Sequence, residues 1–328
     1  ELARCQRALE DVVLKRLQRR HRGTRRIYLD FDPSHDRAHG EQQGVLFNGF
    51  YDGYGYLPMF GFLTVDGDPE QYLLLARLRP GTRKAFHSVI RALRRIIGKA
   101  RQAFPQAQII VRLDSEFTVP VLLDALESEG VKYVAGFKNN TKLKKLAAWH
   151  VGRARGMARR SGHAARRFKE FSYQARTWSR ARRVILKAEV LTHPTRGLKD
   201  NPRWVITNLR HKPEKAYAIY CQRGESENRI KELKLDLQSD RTSCHWFLAN
   251  QLRLLMAASA YVLMQDLRWQ LRRTRLKRAR IGRIRLLLLK VAARVKESVR
   301  RIVLHLPRTL PERATWIHLA RRLGAEPG

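Results

Sequence analysis

The chain has 328 residues, of which 67 are Lys or Arg and 29 are Asp or Glu, so its formal net charge is +38. Hydrophobic residues make up 44% of the chain, which is enough to bury a core and excludes disorder as a description of the whole. A positive excess of this size indicates a polyanionic partner. We expect nucleic acid rather than an anionic membrane surface or a ribosomal-type role.

Cysteine usage and apolar runs restrict the compartment. Cys5, Cys221 and Cys244 have no paired spacing, which excludes a zinc ribbon and a disulfide framework and fits a reducing cytoplasm. The apolar run Leu254–Gln265 is shorter than the ~20 residues that span a bilayer, so we expect a buried helix and no membrane partner. No signal peptide is visible. Because the chain begins at Glu1 inside a helical pattern, we expect a fragment or a processed product.

The first half of the chain alternates between strand and helix patterns. The predicted elements, in chain order, are a helix over 1–20, strands at Arg26–Pro33, Val45–Tyr51, Leu57–Val65 and Gln71–Leu78, a helix over Lys84–Phe104, a strand at Ala107–Leu113, a helix over 119–128 and a strand at Val131–Phe137. After the opening helix, and apart from one additional strand, these elements have the order β-β-β-α-β-α-β of the ribonuclease H-like fold, an α/β class with a mixed sheet. Carboxylates at the ends of adjacent central strands meet in one place in that fold.

The second half divides into a β-rich and a helical part. Alternation over Phe168–Trp178, Val184–Thr192 and Trp204–Leu209 predicts a β-rich insertion before the last helix of the core. Helical periodicity then covers 214–237, 246–271 and 281–297. The predicted organisation is an N-terminal helical remnant (1–25), a core in two parts (26–149 and 211–240) flanking the insertion (150–210), and a basic helical C-terminal region (241–328).

Acidic residues stand at strand ends in this basic chain. Asp30 and Asp32 point to the same face of the first strand, and Asp32 is favoured because it lies at the strand end, although an aspartate before Pro-Ser also caps turns. Asp114 ends the run Ile109–Leu113, and its alternative role is the N-cap of the helix that follows. Glu116 is expected to face away. Carboxylates so placed suit a pair of Mg²⁺ ions about 4 Å apart, the arrangement that phosphodiester cleavage requires.

A third acid lies in a mixed stripe on the helix predicted over 214–237. Five residues of this stripe fall within an arc of about 80°: Tyr220, Arg223, Glu227, Lys231 and Lys234. The adjoining face is mainly apolar (Ser226, Ile230, Leu233, Leu237), and a solvated face is expected at Arg229, Glu232 and Asp236. The carboxylate could hold a metal ion while the cations and the phenol bind phosphate oxygens. The alternative is an ordinary salt-bridged helix.

With these residues in place, the chain resembles the DDE transposases of bacterial insertion sequences, in particular the cut-and-paste class with a Tyr-Arg-Glu-Lys signature. Tyr220, Arg223, Glu227 and Lys234 match that signature at every position. The resemblance runs from about residue 26 to 270. It also includes the segments 29–34 (LDFDPS), 39–43 (HGEQQ), 47–51 (FNGFY), 78–81 (LRPG) and 114–117 (DSEF).

The resemblance implies a metal-dependent enzyme that cuts transposon ends and joins them to target DNA. It implies that Asp32, Asp114 and Glu227 bind two Mg²⁺ ions, for which Mn²⁺ can substitute, and that Tyr220, Arg223 and Lys234 hold phosphates. It also implies a hairpin intermediate with a flipped base on an aromatic residue, for which Trp178 is the candidate and Trp204 the rival, a core tryptophan being the alternative. The expected assembly is a homodimer that bridges two DNA ends, and the expected location is the bacterial cytoplasm, at the nucleoid.

Two other functions share some of these features. A ribonuclease H-like nuclease, such as a junction resolvase, would have the acids but would not transfer strands. A non-catalytic basic DNA-binding protein would account for the charge of +38 but not for acids at two strand ends.

Overall fold

The structure, a computed structural model, describes residues 1–81, 86–193, 195 and 197–325, with the backbone alone at 86–88. Its strands are β1 (Arg26–Pro33), β2 (Asp36–Arg37), β3 (Leu46–Asn48), β4 (Gly53–Tyr56), β5 (Met59–Val65), β6 (Tyr72–Arg77), β7 (Gln108–Leu113), β8 (Lys132–Phe137), β9 (Ala165–Tyr173), β10 (Arg182–His193), β11 (Gly197–Asp200), β12 (Arg203–Thr207), β13 (Arg294–Ser298) and β14 (Arg301–His305).

The helices alternate with these strands. They are α1 (Leu2–Arg20), α2 (Phe86–Ala103), α3 (Pro120–Ser128), α4 (Thr141–Ser161), α5 (Pro213–Cys221), α6 (Gly224–Leu237), α7 (Phe247–Gln270), α8 (Ile281–Ile284) and α9 (Arg313–Arg322). Short 3₁₀ turns lie at Ser115–Phe117 and Leu271–Arg273, and a π-helical turn at Arg285–Leu289 follows α8. The helix predicted over Lys84–Phe104 is α2, and its positions 84 and 85 lie outside the described residues.

A mixed sheet forms the centre of the molecule, which confirms the predicted α/β class. Its strand order is β11-β10-β12-β8-β7-β1-β5-β6, and β9 pairs with β10. Strand β1 runs parallel to β7, and β7 runs parallel to β8. The remaining pairs in this sheet are antiparallel. The carboxyl ends of β1, β7 and β8 therefore lie at one edge of the sheet.

Both faces of β1 are covered, as its alternating sequence requires. Ile27, Leu29 and Phe31 pack into the larger hydrophobic core, together with residues of α1, α2 and α7. Tyr28 faces the other way, into a smaller core with residues of β7, β8 and α5. The central strands are thus buried between helices on both faces, and polar groups on them must find partners or a site at an edge.

The segment predicted as a β-rich insertion belongs to the same sheet, because β12 pairs with β8 and β10 pairs with β12. The predicted boundary at 149/150 falls inside α4. That helix was not predicted, since its buried stripe consists mainly of small residues (Leu143, Ala147, Ala154, Ala158). Its end signals were present: the Asn140 side chain accepts a hydrogen bond from the backbone N–H of Leu143, and Gly162 adopts a φ of 71° at the C-cap.

The N-terminal segment packs into the core of the protein. Helix α1 buries Val13, Leu14 and Leu17. Gln6 donates to the carbonyl of Leu74 and accepts from the N–H of Ala76, which ties α1 to strand β6.

The C-terminal region differs from the all-helical prediction. The helix predicted over 214–237 is two helices, α5 and α6, separated at Gln222 and Arg223. The helix predicted over 281–297 ends within the π-helical turn, and residues 294–305 form the hairpin β13–β14 instead. Valine and isoleucine at 295, 299, 302 and 303 favour strands through their β-branched side chains, and this local preference prevails over the helical spacing of the leucines.

Within the described residues, one stretch, Phe247–Arg273, is long and apolar enough to cross a membrane by length and composition alone. Leu254, Leu255, Ala258 and Tyr261 on it are buried in the protein. This burial agrees with the core helix predicted around Leu254–Gln265. The core helices of soluble proteins can have the same length and composition as membrane-spanning helices.

Candidate catalytic site

The register of the two central parallel strands brings two of the predicted acids to one edge of the sheet. Phe31 on β1 is paired with Leu113 on β7. The next residue on each strand is an aspartate, Asp32 on β1 and Asp114 just after β7. Parallel pairing therefore places both carboxylates at the carboxyl edge of the sheet.

Asp32 is nearly buried and has two side-chain hydrogen-bond donors. Arg223 Nη1 lies 3.0 Å from its Oδ2, and Ser226 Oγ lies 3.1 Å from the same atom. Burial, together with the negative charges of Asp114 and Glu227, raises the pKa of Asp32 to about 7 against the opposing effect of Arg223. The mutual influence of the three acids reflects their proximity.

Asp114 adopts the capping role that was the alternative to metal binding. Its Oδ1 accepts a hydrogen bond from the backbone N–H of Ser115 at 2.6 Å, so it caps the short 3₁₀ turn that follows β7. The same oxygen lies 4.0 Å from Arg223 Nη2, and the side chain stays about one-third exposed. The cap fixes the carboxylate without burying it.

Glu227 reaches the same place from the first turn of α6. Its Oε1 lies 3.6 Å from Arg223 Nη2, and 57% of its side chain is exposed. Ser226, Ile230 and Leu233 are buried on the same helix and hold it against the core. The structure thus brings Asp32, Asp114 and Glu227 around one guanidinium group, that of Arg223.

Asp30, the alternative first acid, lies in a closed ion pair. Arg112 Nε and Nη2 each lie 2.6 Å from one of its carboxylate oxygens, and Gln71 Nε2 lies 3.0 Å from Oδ2. Asp30 and Arg112 are almost completely buried. The Arg112 guanidinium also lies 4.7 Å from the ring centroid of Tyr28. With both oxygens engaged, Asp30 serves the packing of β1 against β7.

Tyr220 lies beside the acids, but on a different helix from Glu227. Arg223 Cζ is 5.8 Å from the centroid of its ring. Burial raises the pKa of its hydroxyl. A Cβ at Gly136 on β8 would come within 2.6 Å of the Tyr220 hydroxyl and 3.1 Å of the Ser115 nitrogen, so only glycine lets the phenol approach this edge.

The two lysines of the predicted stripe have different surroundings. Lys231 is exposed on α6. Lys234 Nζ instead lies 2.7 Å from the carbonyl oxygen of His35 and 2.7 Å from Asp36 Oδ1. It therefore ties α6 to the loop that follows Asp32.

Trp178 occupies the core position that was the alternative to base stacking. It is 6% exposed. Its ring centroid lies 5.3 Å from that of Phe137 and 5.5 Å from that of Tyr173. Trp204, its rival, is buried as well, although it lines a cavity of about 400 Å³ next to Asp114 and Tyr220.

Two polar residues that form hydrogen bonds with the aspartates of β1 were not predicted from the sequence, and a third polar residue was predicted on the wrong face of its helix. Ser226 was assigned to the apolar face, and Arg112 was passed over within a strand. A polar side chain in an otherwise apolar pattern requires a partner, and that signal was available for both. Glu232, assigned to solvent, is buried and bonds to Arg268 and Tyr261.

The donor set suits a hard divalent ion, because all three acids offer carboxylate oxygens. As the side chains stand in the described part of the chain, no three His, Cys, Asp or Glu residues are close enough to hold one metal ion. The three acids share the Arg223 guanidinium instead.

In this basic α/β protein, three acids therefore meet at the carboxyl edge of the central strands. Residues 1–327 match the family described as transposase DDE domain group 1, and the chain therefore belongs to this family. Its members generally cut and join DNA with the help of divalent metal ions.

Two solved structures resemble part of the chain. A Mos1 transposase paired-end complex with left transposon end is 15% identical over 47% of either chain, with a TM-score of 0.22. A pre-cleavage Mos1 transpososome is 14% identical over 47% of this chain and 48% of that chain, also with a TM-score of 0.22. The chain spans about half the length of these structures, and so distant a likeness assigns nothing further. No curated protein matches the chain.

Proposed function

We propose that this transposase cleaves DNA at the ends of a mobile element and transfers the freed strands into target DNA, with Asp32, Asp114 and Glu227 as its catalytic acids. The observation that carries this proposal is the convergence of the three side chains, from two strands and a helix, on Arg223. A non-catalytic DNA-binding protein would have no reason to concentrate negative charge on a surface that binds phosphate.

The three acids would hold Mg²⁺, or Mn²⁺ in its place, with two ions per site. The ions would polarise the phosphodiester and favour ionisation of the attacking hydroxyl. Asp32 supplies a buried oxygen at the base of the site, whereas Asp114 and Glu227 offer more exposed oxygens. We favour Asp32 over Asp30 because both oxygens of Asp30 are engaged by buried partners.

Phosphate binding at this site falls to Tyr220, Arg223 and the lysines of α6. Lys231 is exposed and directly available to a DNA backbone. Lys234 contributes by fixing the loop after Asp32 and by its positive charge beside the site. We do not assign base stacking to Trp178, because its ring packs against Phe137 and Tyr173.

The proposed reaction is a series of in-line displacements at phosphorus. Hydrolysis at the element end frees a 3′-hydroxyl, which attacks the opposite strand and closes a hairpin. Hydrolysis of the hairpin regenerates the 3′-hydroxyl, and its attack on target DNA completes the transfer. Because two ends must be processed together, we propose a homodimer in a synaptic complex. We place the protein among bacterial insertion-sequence transposases with the Tyr-Arg-Glu-Lys signature, acting at the nucleoid in the cytoplasm.

The test is a Mg²⁺-dependent nicking and joining assay on element-end DNA with Asp114→Asn and Glu227→Gln. We expect both variants to bind DNA as tightly as the wild type and to lose cleavage by at least about 10³-fold, since each substitution removes a charged ligand but leaves the shape of the side chain. Wild-type cleavage without joined products would instead indicate a nuclease. Unchanged cleavage in both variants would contradict the proposal.

A further inference from the structure

The position of Arg223 suggests a function beyond phosphate binding. Its side chain is 11% exposed, and its guanidinium is the common neighbour of the three acids. Nη1 lies 3.0 Å from Asp32 Oδ2, and Nη2 lies 4.0 Å from Asp114 Oδ1 and 3.6 Å from Glu227 Oε1. One positive charge therefore faces three carboxylates.

The guanidinium faces the same three carboxylates that would have to hold a divalent ion. A metal–oxygen bond in such a site is about 2.0–2.6 Å long, shorter than any of these nitrogen–oxygen distances. No three acids in the described chain are close enough to share an ion as they stand. An ion can bind all three only if the guanidinium leaves and the carboxylates move together.

The guanidinium of Arg223 can exchange its carboxylate partners for a phosphate. Its three-way contact uses Nη1 and Nη2, while its buried Nε has no hydrogen-bond partner among the described residues. A guanidinium binds phosphate through paired N–H groups, in a geometry that Nε and one Nη can supply. Exchange of carboxylate for phosphate keeps the guanidinium charge neutralised and would also satisfy Nε.

We propose that Arg223 is an exchangeable counterion of the three acids. A DNA phosphate draws its guanidinium away from Asp32, Asp114 and Glu227, which would leave the three carboxylates free to hold the divalent ions. DNA binding and metal binding are then coupled, and each strengthens the other to the same extent. The proposal rests on the function proposed above and adds that the catalytic ions are loaded with the substrate.

The direct test is Mn²⁺ binding by the whole chain without DNA, measured as the loss of the free-ion signal in electron paramagnetic resonance. Arg223→Gln removes the competing charge and is expected to bind Mn²⁺ about tenfold or more tightly than the wild type, the change that corresponds to ~1.4 kcal/mol. The double variant Arg223→Gln with Asp32→Asn is expected to lose this gain, which localises the ion to the three acids.

Lys15→Gln is the matched control, because it removes the same charge from an exposed position on α1 that is not part of the site. We expect it to change Mn²⁺ affinity less than twofold. Circular dichroism and thermal unfolding establish that each variant is folded.

The second measurement adds a short DNA duplex, with the Mn²⁺ bound by DNA alone subtracted. DNA is expected to tighten Mn²⁺ binding about tenfold more in the wild type than in Arg223→Gln, since the variant has no guanidinium to remove. Equal or weaker Mn²⁺ affinity of Arg223→Gln without DNA overturns the exchange, as does an equal effect of DNA on both proteins. Neither result bears on the proposed function, which is contradicted only if Asp114→Asn and Glu227→Gln both still cleave DNA.

Discussion

Two carboxylate–guanidinium clusters lie side by side on β1 and β7, and they differ in how completely they are closed. In the first, Asp30 and Arg112 share two hydrogen bonds of 2.6 Å and are almost fully buried. In the second, two residues further along the same strands, Asp32 and Asp114 share the guanidinium of Arg223 with Glu227, and two of the three acids are partly exposed.

The difference separates a carboxylate that holds the fold together from one that is available for chemistry. A buried pair with every oxygen engaged has nothing left to offer a ligand, and breaking it leaves an uncompensated charge. A single guanidinium shared by three acids leaves an excess of negative charge, which favours a cation. Aspartates on the same strand thus have opposite roles. The number of acids that share one arginine, and the distance of the acid from the edge of the sheet, decide which role each has.

The substitution with the largest expected effect is Asp32→Asn, which tests whether Asp32 differs in role from Asp30. We expect cleavage to fall about 10⁴-fold, equivalent to ~5.5 kcal/mol of transition-state stabilisation, because the buried ligand loses its charge. Thermal unfolding should be nearly unchanged or shifted upward, since burial disfavours the charged form of Asp32. Single-turnover cleavage and calorimetry measure both. A large loss of stability would place Asp32 with the closed pair.

The same substitution two residues earlier is the matched counterpart. Asp30→Asn leaves Arg112 charged and buried without its partner, so we expect the free energy of unfolding to fall by about 3–5 kcal/mol. Urea denaturation measures this loss. Cleavage per folded molecule at low temperature should fall far less than in Asp32→Asn. Stability equal to that of the wild type would mean that the ion pair is not structural.

A second closed cluster, on the far side of α6 from Glu227, sharpens the comparison through pH. Burial tends to raise the pKa of Glu232, but the charge and hydrogen bonds of Arg268 outweigh it and hold the pKa below its usual value. The stability this provides is complete above the ordinary glutamate pKa of 4.5 and is lost as the pH falls through the lowered folded-state value.

Glu232→Gln should therefore lower the free energy of unfolding by about 2–3 kcal/mol at pH 7, and the difference from the wild type should shrink below about pH 4. Urea denaturation at a series of pH values measures it. Glu227→Gln, on the same helix, serves as the control and should leave stability nearly unchanged, because Glu227 is more than half exposed. A pH-independent difference at Glu232 would argue against the ion pair.

Much of the fold could be predicted from local patterns, and the exceptions have physical causes. Strands β1, β5, β6, β7 and β8 were predicted, because alternation and flanking turns are local properties. The short strands β2 and β4 were not, and the strand predicted at Val45–Tyr51 is confined to β3. Helix α4 was missed because alanines form its buried stripe, and the hairpin β13–β14 was missed because leucine spacing before it resembled a helix. The break between α5 and α6 lies inside a continuous periodic pattern, so spacing alone predicted one helix.

The sequence by itself determined the charge, the alternation that buries β1 and β7, and the short list of acids that could meet at their ends. Which acids meet was decided only by the tertiary structure. Strand register sets Asp32 beside Asp114, and the break after α5 turns α6 so that Arg223 and Glu227 face them. Arg112 closes around Asp30 from a neighbouring strand. Partners far apart in the chain decide whether a carboxylate is engaged or free, and no local pattern encodes their distance.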